Sequence, residues 1–229
     1  MRTSYHHQIL KILVRTKVSM HQTFNEKNFQ EICNQLAVKD NHFKEIIDKY
    51  AYPPLWTRPN NFSSLIHIIL EQQVSLASAK AAFVKLKKKT NGISPAKLLA
   101  LSDAALRECY FSRQKTVYAR ALATALISKE ISLRKLASED SDTVRSTLKK
   151  VKGIGDWTVD VYLLFVLHRS DVFPIGDLAM VNAMKEIKSL PKSSTKEILI
   201  EMAEGWRPYR SIAAMLLWHH YIKTRNIKL

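Results

Sequence analysis

The sequence predicts an all-α protein, and two observations support this. Nowhere in the 229 residues is the apolar–polar alternation of a half-buried strand sustained, and glycine is scarce at five residues. Apolar residues instead recur every three or four positions, and serine or proline stands where many of the resulting helices would begin. Short helices joined by short connections are therefore expected along most of the chain.

The composition indicates a polyanionic partner. Thirty-six Lys+Arg against twenty Asp+Glu give a formal net charge of +16, which favours nucleic acid first and an anionic membrane surface second. No apolar run approaches the roughly 18 residues of a membrane-spanning helix. Cys33 and Cys109 lie far apart without a CxxC pair, which argues against a cysteine-ligated metal and fits a reducing compartment. A cytoplasmic or nuclear location is expected.

The N-terminal quarter of the chain ends at a proline-rich connector. Residues 1–25 contain no acid and are interpreted as a basic leader, which leaves import into an organelle open. Two short helices are predicted between Asn28 and Tyr50. The segment Tyr52–Pro59 contains three prolines, which prevent a continuous helix and make this segment a candidate domain boundary.

Two helices are predicted between Asn61 and Lys89, joined by the polar run Glu71–Ser75. Ser63 or Ser64 is expected to cap the first helix and Ser75 the second. The basic tail of the second helix is typical of charges that complement a helix dipole. Further helices are expected near Ser94–Pro95, Ser102, Arg113–Ile127, Ser132–Ala137, Asp140–Lys150, Trp157–Leu167, Leu178–Ile187, Ser194–Glu204 and Pro208–Thr224.

A Gly-Ile-Gly turn, Gly153–Gly155, directly precedes the apolar helix Trp157–Leu167. Two glycines allow a tight turn and close backbone approach, and Ile154 is expected to point inward and fix the turn. The free N–H groups at the start of the helix would then face the turn, which suits a DNA phosphate. A lone G-x-G could be an ordinary helix connection, but the preceding Leu148, Val151 and Lys152 and the apolar helix that follows make it typical of a helix-hairpin-helix.

The segments VKGIGDWT (151–158) and DVFPIGDL (171–178) together resemble the helix-hairpin-helix/Gly-Pro-Asp DNA glycosylase superfamily. LEQQVS (70–75), FSRQK (111–115) and WRPYRS (206–211) extend the similarity to its 3-methyladenine DNA glycosylase II branch, over about Tyr50–Tyr221. The resemblance implies two helical lobes with the active site in the cleft between them: residues 62–170, including the hairpin unit 148–167, and residues 26–61 plus 171–229. Residues 1–36 leave no room for the N-terminal β domain of the enterobacterial form, so a compact form is expected.

The resemblance implies that Asp177 is the catalytic acid. Breaking an N-glycosidic bond builds positive charge on the deoxyribose, which a nearby carboxylate stabilises. Asp177 also precedes the helix at Leu178, and an N-cap role would fix its position without excluding catalysis. Trp157 stands where strand-cutting relatives carry a lysine, and an indole cannot form a Schiff base. A glycosylase without lyase activity is therefore expected, with water as the attacking group.

A base pocket is also implied, made by Trp157, Trp218 and His219. Trp157 would stack on a cationic alkylated base. Each of these side chains has an alternative interpretation as an ordinary core or surface residue.

DNA contacts are expected from the hairpin and from two other motifs. The resemblance places position 73 in the base stack, although Gln72 and Gln73 could instead cap their helix. The expected contacts are Gly153, Ile154, Gly155, Lys152, Gln72, Gln73, Ser112 and Lys115, with Arg113, Lys149, Lys150, Arg207 and Arg210 as further phosphate ligands. Asp156, an acid where many relatives carry arginine, could weaken phosphate binding.

No cofactor is required by this interpretation. By resemblance alone, the main-chain carbonyls of Lys149, Val151 and Ile154 could hold a sodium or potassium ion. The expected partner is double-stranded DNA with a damaged base, bound by a monomer, with no membrane involved.

The expected function is hydrolytic release of 3-methyladenine-like and 7-methylguanine-like bases in base excision repair. Two alternatives stay open at this point. One is a non-catalytic, structure-specific DNA-binding module, which would need neither Asp177 nor Trp157. The other is a glycosylase for deaminated or oxidised bases.

Overall fold

The computed structural model describes residues 23–227, and this part of the chain is helical, as the sequence predicts. Its only β pairing is an isolated antiparallel bridge between Thr23 and Arg169. The predicted leader, apart from its last three residues, lies outside the described residues. The thirteen helices of residues 23–227 are α1 (Phe29–Lys39), α2 (Asn41–Tyr50), α3 (Phe62–Glu71), α4 (Leu76–Thr90), α5 (Pro95–Leu99), α6 (Asp103–Glu108), α7 (Arg113–Ile127), α8 (Leu133–Ser138), α9 (Ser141–Leu148), α10 (Asp156–Phe165), α11 (Leu178–Ile187), α12 (Lys196–Glu204) and α13 (Arg210–Thr224).

Side-chain caps start most of these helices where the sequence predicts. Ser75, Ser94, Ser102 and Ser112 each accept a hydrogen bond from the backbone N–H three residues later, which satisfies one of the free donors of the first turn. The cap of α3 is the exception, because Asn61 rather than Ser63 or Ser64 accepts from the Ser64 N–H.

Two hydrophobic cores organise the described residues. The first is built from Phe62 to Val172, and the second from Phe24 to Ile46 together with Met180 to Trp218. Helix α10 contributes to both, since Leu163 lies in the first core and Leu164 in the second. The exact division into lobes stays a prediction, because this shared helix leaves no clean boundary at residue 170.

Helix α13 is the centre of the second core. Every residue from Ser211 to Leu217 is fully buried, which is expected of a helix that is apolar on nearly all sides. The connection that follows α10 is held against the start of α13. The Ser211 hydroxyl donates to the Arg169 carbonyl oxygen at 2.6 Å and accepts from the Val172 N–H at 2.9 Å. These contacts hold the loop that leads to Asp177. None of the described helices is long and apolar enough to cross a membrane.

Candidate active site

The Asp177 carboxylate is held by three N–H donors from three different helices. Its Oδ1 accepts from the Met180 backbone N–H at 2.9 Å and from the Trp218 indole Nε1–H at 2.8 Å. Its Oδ2 accepts from the Trp157 indole Nε1–H at 2.9 Å. Asp177 is therefore the N-cap of α11, as expected, and the same side chain is also fixed from two sides by tryptophans.

The two tryptophans belong to different cores. Trp157 lies in the first turn of α10, half-buried against the first core. Trp218 lies in α13 and is part of the second core. The carboxylate consequently sits where the two cores meet. The sequence predicted Trp157 as a stacking surface, and the structure adds that the N–H edge of its ring orients Asp177.

Further aromatic rings continue from Trp218. Phe165 stacks on Trp218 with ring centroids 5.2 Å apart and planes 29° apart. Trp56 meets Phe165 edge-on at 6.3 Å, and the Arg58 guanidinium lies 5.7 Å from the centroid of the same ring. Sequence reasoning missed Trp56 and Phe165 as neighbours of the site. The only available signal was an aromatic residue in the proline-rich connector and another at the end of an apolar helix.

His219 is placed differently from the expected base pocket. Its ring is buried, with Nε2 3.1 Å from the Tyr50 carbonyl oxygen, and it packs edge-on against the Tyr50 ring. Burial lowers the pKa of His219. The structure thus uses His219 to tie α13 to the end of α2, and no hydrogen bond joins it to Asp177.

The two glycines of the hairpin differ in backbone conformation and in the space around them. Gly153 has a φ of +90°, and a Cβ built on it would lie 2.0 Å from the Tyr118 ring. Gly155 has a φ of −103°, and nothing lies within 4 Å of a Cβ built there. The turn therefore requires only the first glycine. The second leaves open space beside the start of α10, while Ile154 is buried between them.

The start of α10 offers free backbone donors. Its N-cap, Gly155, has no side chain to bind the N–H groups of the first turn, so these donors are available to an external anion. Asp156 follows at once, but its carboxylate is engaged by the Lys149 ammonium at 2.8 Å and by the Arg145 guanidinium at 3.2 Å. The acid that could weaken phosphate binding is thus neutralised internally.

The same arginine also reaches into the protein. Arg145 donates to Asp160 Oδ1 at 2.6 Å, which joins α9 to α10 beneath the hairpin. Asp160 is 5% exposed, and its burial raises the pKa of the carboxyl to about 6, against the opposing effect of Arg145. Lys150 and Lys152 remain exposed on the hairpin, without an ion pair to any described residue.

Gln72 and Gln73 have distinct positions. The Gln72 side-chain amide donates to the Gly153 carbonyl at 3.0 Å and to the Thr158 hydroxyl at 2.9 Å. Gln73 is exposed, with a φ of +56°. The structure therefore leaves Gln73, rather than Gln72, available to enter a base stack.

Ser112 and Lys115, the other expected DNA contacts, take part in internal hydrogen bonds. Ser112 caps α7 by accepting from the Lys115 N–H at 3.2 Å. The Lys115 ammonium donates to the Leu70 carbonyl at 2.5 Å, at the end of α3, and burial lowers its pKa. Lys115 is thus turned toward the protein, where it supports the turn that carries Gln73.

Arg207 and Arg210 are also engaged internally, although the sequence suggested phosphate contacts. The Arg210 Nε donates to Asp171 Oδ1 at 2.7 Å and its Nη1 donates to Glu204 Oε1 at 2.8 Å. Arg207 pairs with the same two acids. These guanidiniums hold the first residue of the loop that ends at Asp177, and two carboxylates offset their charge.

The expected cation site consists of neutral oxygens only. No group of three His, Cys, Asp or Glu side chains in residues 23–227 could hold a metal ion. The Val151 carbonyl accepts the Ile154 N–H at 3.1 Å, and a carbonyl has a second lone pair for an ion. Three neutral carbonyls, from Lys149, Val151 and Ile154, suit a monovalent cation such as sodium or potassium. This site stays a prediction.

Comparisons with known proteins find similar DNA glycosylases. The chain is 27% identical over 207 residues to DNA-3-methyladenine glycosylase 1 of Schizosaccharomyces pombe, covering 89% of this chain and 86% of the relative. A solved structure of a 3-methyladenine DNA glycosylase from the same yeast, in complex with abasic DNA, superposes with a TM-score of 0.77 at 27% identity, over 85% of this chain and 97% of that one. A DNA-3-methyladenine glycosidase structure from Bacillus halodurans gives a TM-score of 0.71 at 28% identity, over 86% of this chain and 91% of that one.

These relatives are of the compact form that the sequence predicts. The family model described as "HhH-GPD superfamily base excision DNA repair protein" matches residues 66–208, which is more than half of the chain. The protein therefore belongs to the HhH-GPD superfamily of base excision DNA repair proteins.

Proposed function

We propose that this protein is a DNA glycosylase that releases alkylated purines, of the 3-methyladenine and 7-methylguanine type, by hydrolysing the N-glycosidic bond. The observation that carries the proposal is the Asp177 carboxylate held by the indole N–H groups of Trp157 and Trp218 where the two cores meet. The similar proteins named above are 3-methyladenine glycosylases, which supports this substrate class.

The hydrogen bonds of Asp177 leave capacity for chemistry. An ionised carboxylate has about four lone-pair sites, and three of them accept N–H donors. Oδ2 accepts from Trp157 alone, so one site on this oxygen remains for a water or for the positive charge that develops on the sugar. Because the side chain is already fixed, no reorganisation is needed as that charge forms, and such preorganised stabilisation contributes several kcal/mol.

Aromatic surfaces beside this carboxylate explain a preference for alkylated bases. A base must leave the helical stack before its glycosidic bond can be reached. Alkylated purines carry positive charge, and a cation over a tryptophan ring is stabilised by roughly 0.5–2 kcal/mol. The half-buried rings of Trp157 and of Phe165, which stacks on the buried Trp218, are the aromatic surfaces near Asp177.

We further propose that the enzyme has no lyase activity and acts as a monomer. Trp157, in the first turn of α10, occupies the place where strand-cutting relatives carry their lysine, and an indole offers no amine for a Schiff base. The attacking group is then water, and the product is an intact strand with an abasic site.

DNA is held by the hairpin and the turn before α4 in this proposal. The free amides after Gly155 bind a phosphate, with Lys150 and Lys152 as neighbouring positive charges. Gln73 fills the gap left by the extruded base. Gln72 and Lys115 do not contact DNA in this proposal. They hold the turn in place by donating to the carbonyls of Gly153 and Leu70, respectively.

The test is base release from matched duplexes that carry 7-methylguanine, 3-methyladenine, 8-oxoguanine or uracil. The wild type is expected to release the two alkylated bases fastest, with strand breaks appearing only after alkali treatment. Asp177→Asn, which can still cap α11, is expected to abolish release and keep binding to abasic DNA. Full activity of this variant would contradict the mechanism, and breaks before alkali would contradict the absence of a lyase. Binding without release of any base would favour the non-catalytic module.

A further inference from the structure

The outward side of α4 carries an open apolar and basic surface that the proposed mechanism does not use. It is lined by Leu76, Ala77, Ala81 and Val84 between the side chains of Lys80, Lys85 and Lys88. Leu76 is 44% exposed and Val84 is 55% exposed. The opposite side of the helix packs into the first core through Ala79, Ala82 and Leu86.

The charge of this surface has one sign. No acid occurs between Leu76 and Thr90, whereas five lysines do. Lys89 pairs with Glu108 at 2.6 Å, and the Lys85 ammonium lies 4.1 Å from the centroid of the exposed Tyr110 ring. Among the described residues, Lys80 and Lys88 have no acidic partner. A surface of this kind attracts a polyanion.

Complementation of the helix dipole accounts for only some of these lysines. The dipole acts within the last turn of a helix, which here contains Lys87, Lys88 and Lys89. Lys80 and Lys85 lie earlier in α4, where that effect has faded. They extend the positive surface along most of the helix.

The position of this surface favours DNA as the polyanion. Helix α4 begins three residues after Gln73, which is proposed to enter the base stack, so the two surfaces are continuous. Fifteen residues of α-helix span about 22 Å, and a DNA duplex carries one charge per roughly 1.7 Å of its axis. The helix is therefore long enough to follow several phosphates beyond the damaged base.

We propose that this side of α4 binds the DNA backbone on one side of the lesion and extends the contact made by the hairpin. This inference rests on the proposed function, since it needs DNA bound at the turn before α4. Lys80, Lys85 and Lys88 contact phosphates. The apolar residues between them lie against sugars, because small side chains such as Ala77 and Ala81 permit a close approach.

The test compares two triple variants of equal charge. Lys80→Gln, Lys85→Gln and Lys88→Gln remove the α4 charges, and Lys27→Gln, Lys192→Gln and Lys196→Gln remove three exposed charges elsewhere. The probe is a duplex with a central abasic-site analogue, and Kd is measured against salt concentration. The logarithm of the association constant falls linearly with the logarithm of salt concentration, and each lost phosphate contact makes the slope of that fall shallower by about 0.9. A decrease of about 2–3 is expected for the α4 variant alone, and equal slopes for the two variants would overturn the proposal.

A second measurement locates the contact on the DNA. Duplexes are shortened on one side of the abasic site or on the other, and wild-type affinity is expected to fall more for one of the two sides. The α4 variant should lose its sensitivity to shortening on that side only. Equal sensitivity in both proteins contradicts the assignment. If the wild type shows the full salt slope and arm dependence but releases no alkylated base, the proposed function fails and the α4 contact stands.

Discussion

The side-chain amide of Gln72 donates to the main-chain carbonyl of Gly153 across 3.0 Å. This bond joins the turn before α4 to the hairpin before α10, which are 81 residues apart in the chain. The surface proposed to grip a phosphate and the residue proposed to fill the base stack are therefore held in one fixed relation.

Replacing Gln72 with methionine should weaken both folding and DNA binding. The change keeps the side-chain length but removes the donor, and it leaves the half-buried carbonyl of Gly153 and the buried hydroxyl of Thr158 without that partner. We expect the free energy of unfolding to fall by about 1–3 kcal/mol, measured by urea denaturation. Gln73→Met is the control. Because Gln73 is exposed, this variant should lower base release without changing stability. Equal stability of the two variants would show that the Gln72 contact is unimportant.

The two hairpin glycines should separate folding from binding. Gly153→Ala places a Cβ 2.0 Å from the Tyr118 ring at a φ of +90°, and we expect a loss of about 2–4 kcal/mol of stability. Gly155→Ala meets no neighbouring atom, so the stability should change by less than about 0.5 kcal/mol. The affinity for abasic DNA should nevertheless fall, because the added methyl group faces the open side of α10. Thermal unfolding and a binding titration on both variants check this, and unchanged affinity in Gly155→Ala would remove the hairpin from the DNA contact.

Trp218→Phe should slow base release by about ten-fold or more. The ring remains, but Oδ1 of Asp177 loses the indole donor at 2.8 Å, and a hydrogen bond to a charged group contributes about 1.5–3 kcal/mol. Single-turnover release of 7-methylguanine is the measurement. Trp206→Phe is the matched control, because the Trp206 indole donates in the same way to Asp40 at 2.9 Å, away from Asp177. If both variants slow release equally, the effect is one of packing and not of the Asp177 contact.

Asp160 should make folding more favourable at acid pH. Burial raises the pKa of its carboxyl from 3.8 to about 6 in the folded protein, so the native state binds the proton more tightly than the unfolded chain. Its contribution to stability is complete below about pH 4 and is lost as the pH rises to 6, by an amount on the order of 3 kcal/mol. Relative to the wild type, Asp160→Asn should therefore gain stability between pH 4 and 7.

The control for this measurement is Asp156, whose carboxyl responds in the opposite sense. Lys149 and Arg145 lower the pKa of Asp156, so its contribution is present above the pKa of the unfolded chain and is lost as the pH falls. Asp156→Asn should accordingly lose stability relative to the wild type at neutral pH. Denaturation of the wild type and both variants at pH 4, 5, 6 and 7 distinguishes the two carboxyls. Parallel curves for the wild type and Asp160→Asn would mean that Asp160 titrates normally.

The parts of the site that the sequence could predict are those encoded locally. Asp177 and the hairpin glycines stand out because a turn, an apolar helix and a capped helix follow one another within thirty residues. Trp157 stands out because it lies two residues after Gly155, the second glycine of the turn. The all-α fold follows from apolar spacing alone, since each helix buries one side whatever its neighbours are.

The parts that the sequence could not predict depend on pairs distant in the chain. Phe165 reaches the site only because α10 and α13 cross beside Asp177, and the side chain of Lys115 turns inward to the carbonyl end of α3. Counting charges in the sequence has the same limit, because it does not show which charges pair with each other. The sequence suggests Arg210 as a phosphate ligand, but in the structure Arg210 pairs with Asp171, 39 residues away.

The position of Asp177, the proposed catalytic acid, between indoles from two cores would make base release depend on the integrity of both cores. If the second core alone loosens, Trp218 withdraws and the carboxylate loses one of its two indole donors, while the hairpin, which belongs to the first core, keeps its proposed hold on DNA. A partly melted molecule would then occupy DNA without cutting any base from it. Base release is thereby restricted to molecules in which both cores are intact, and on heating it is expected to be lost before DNA binding.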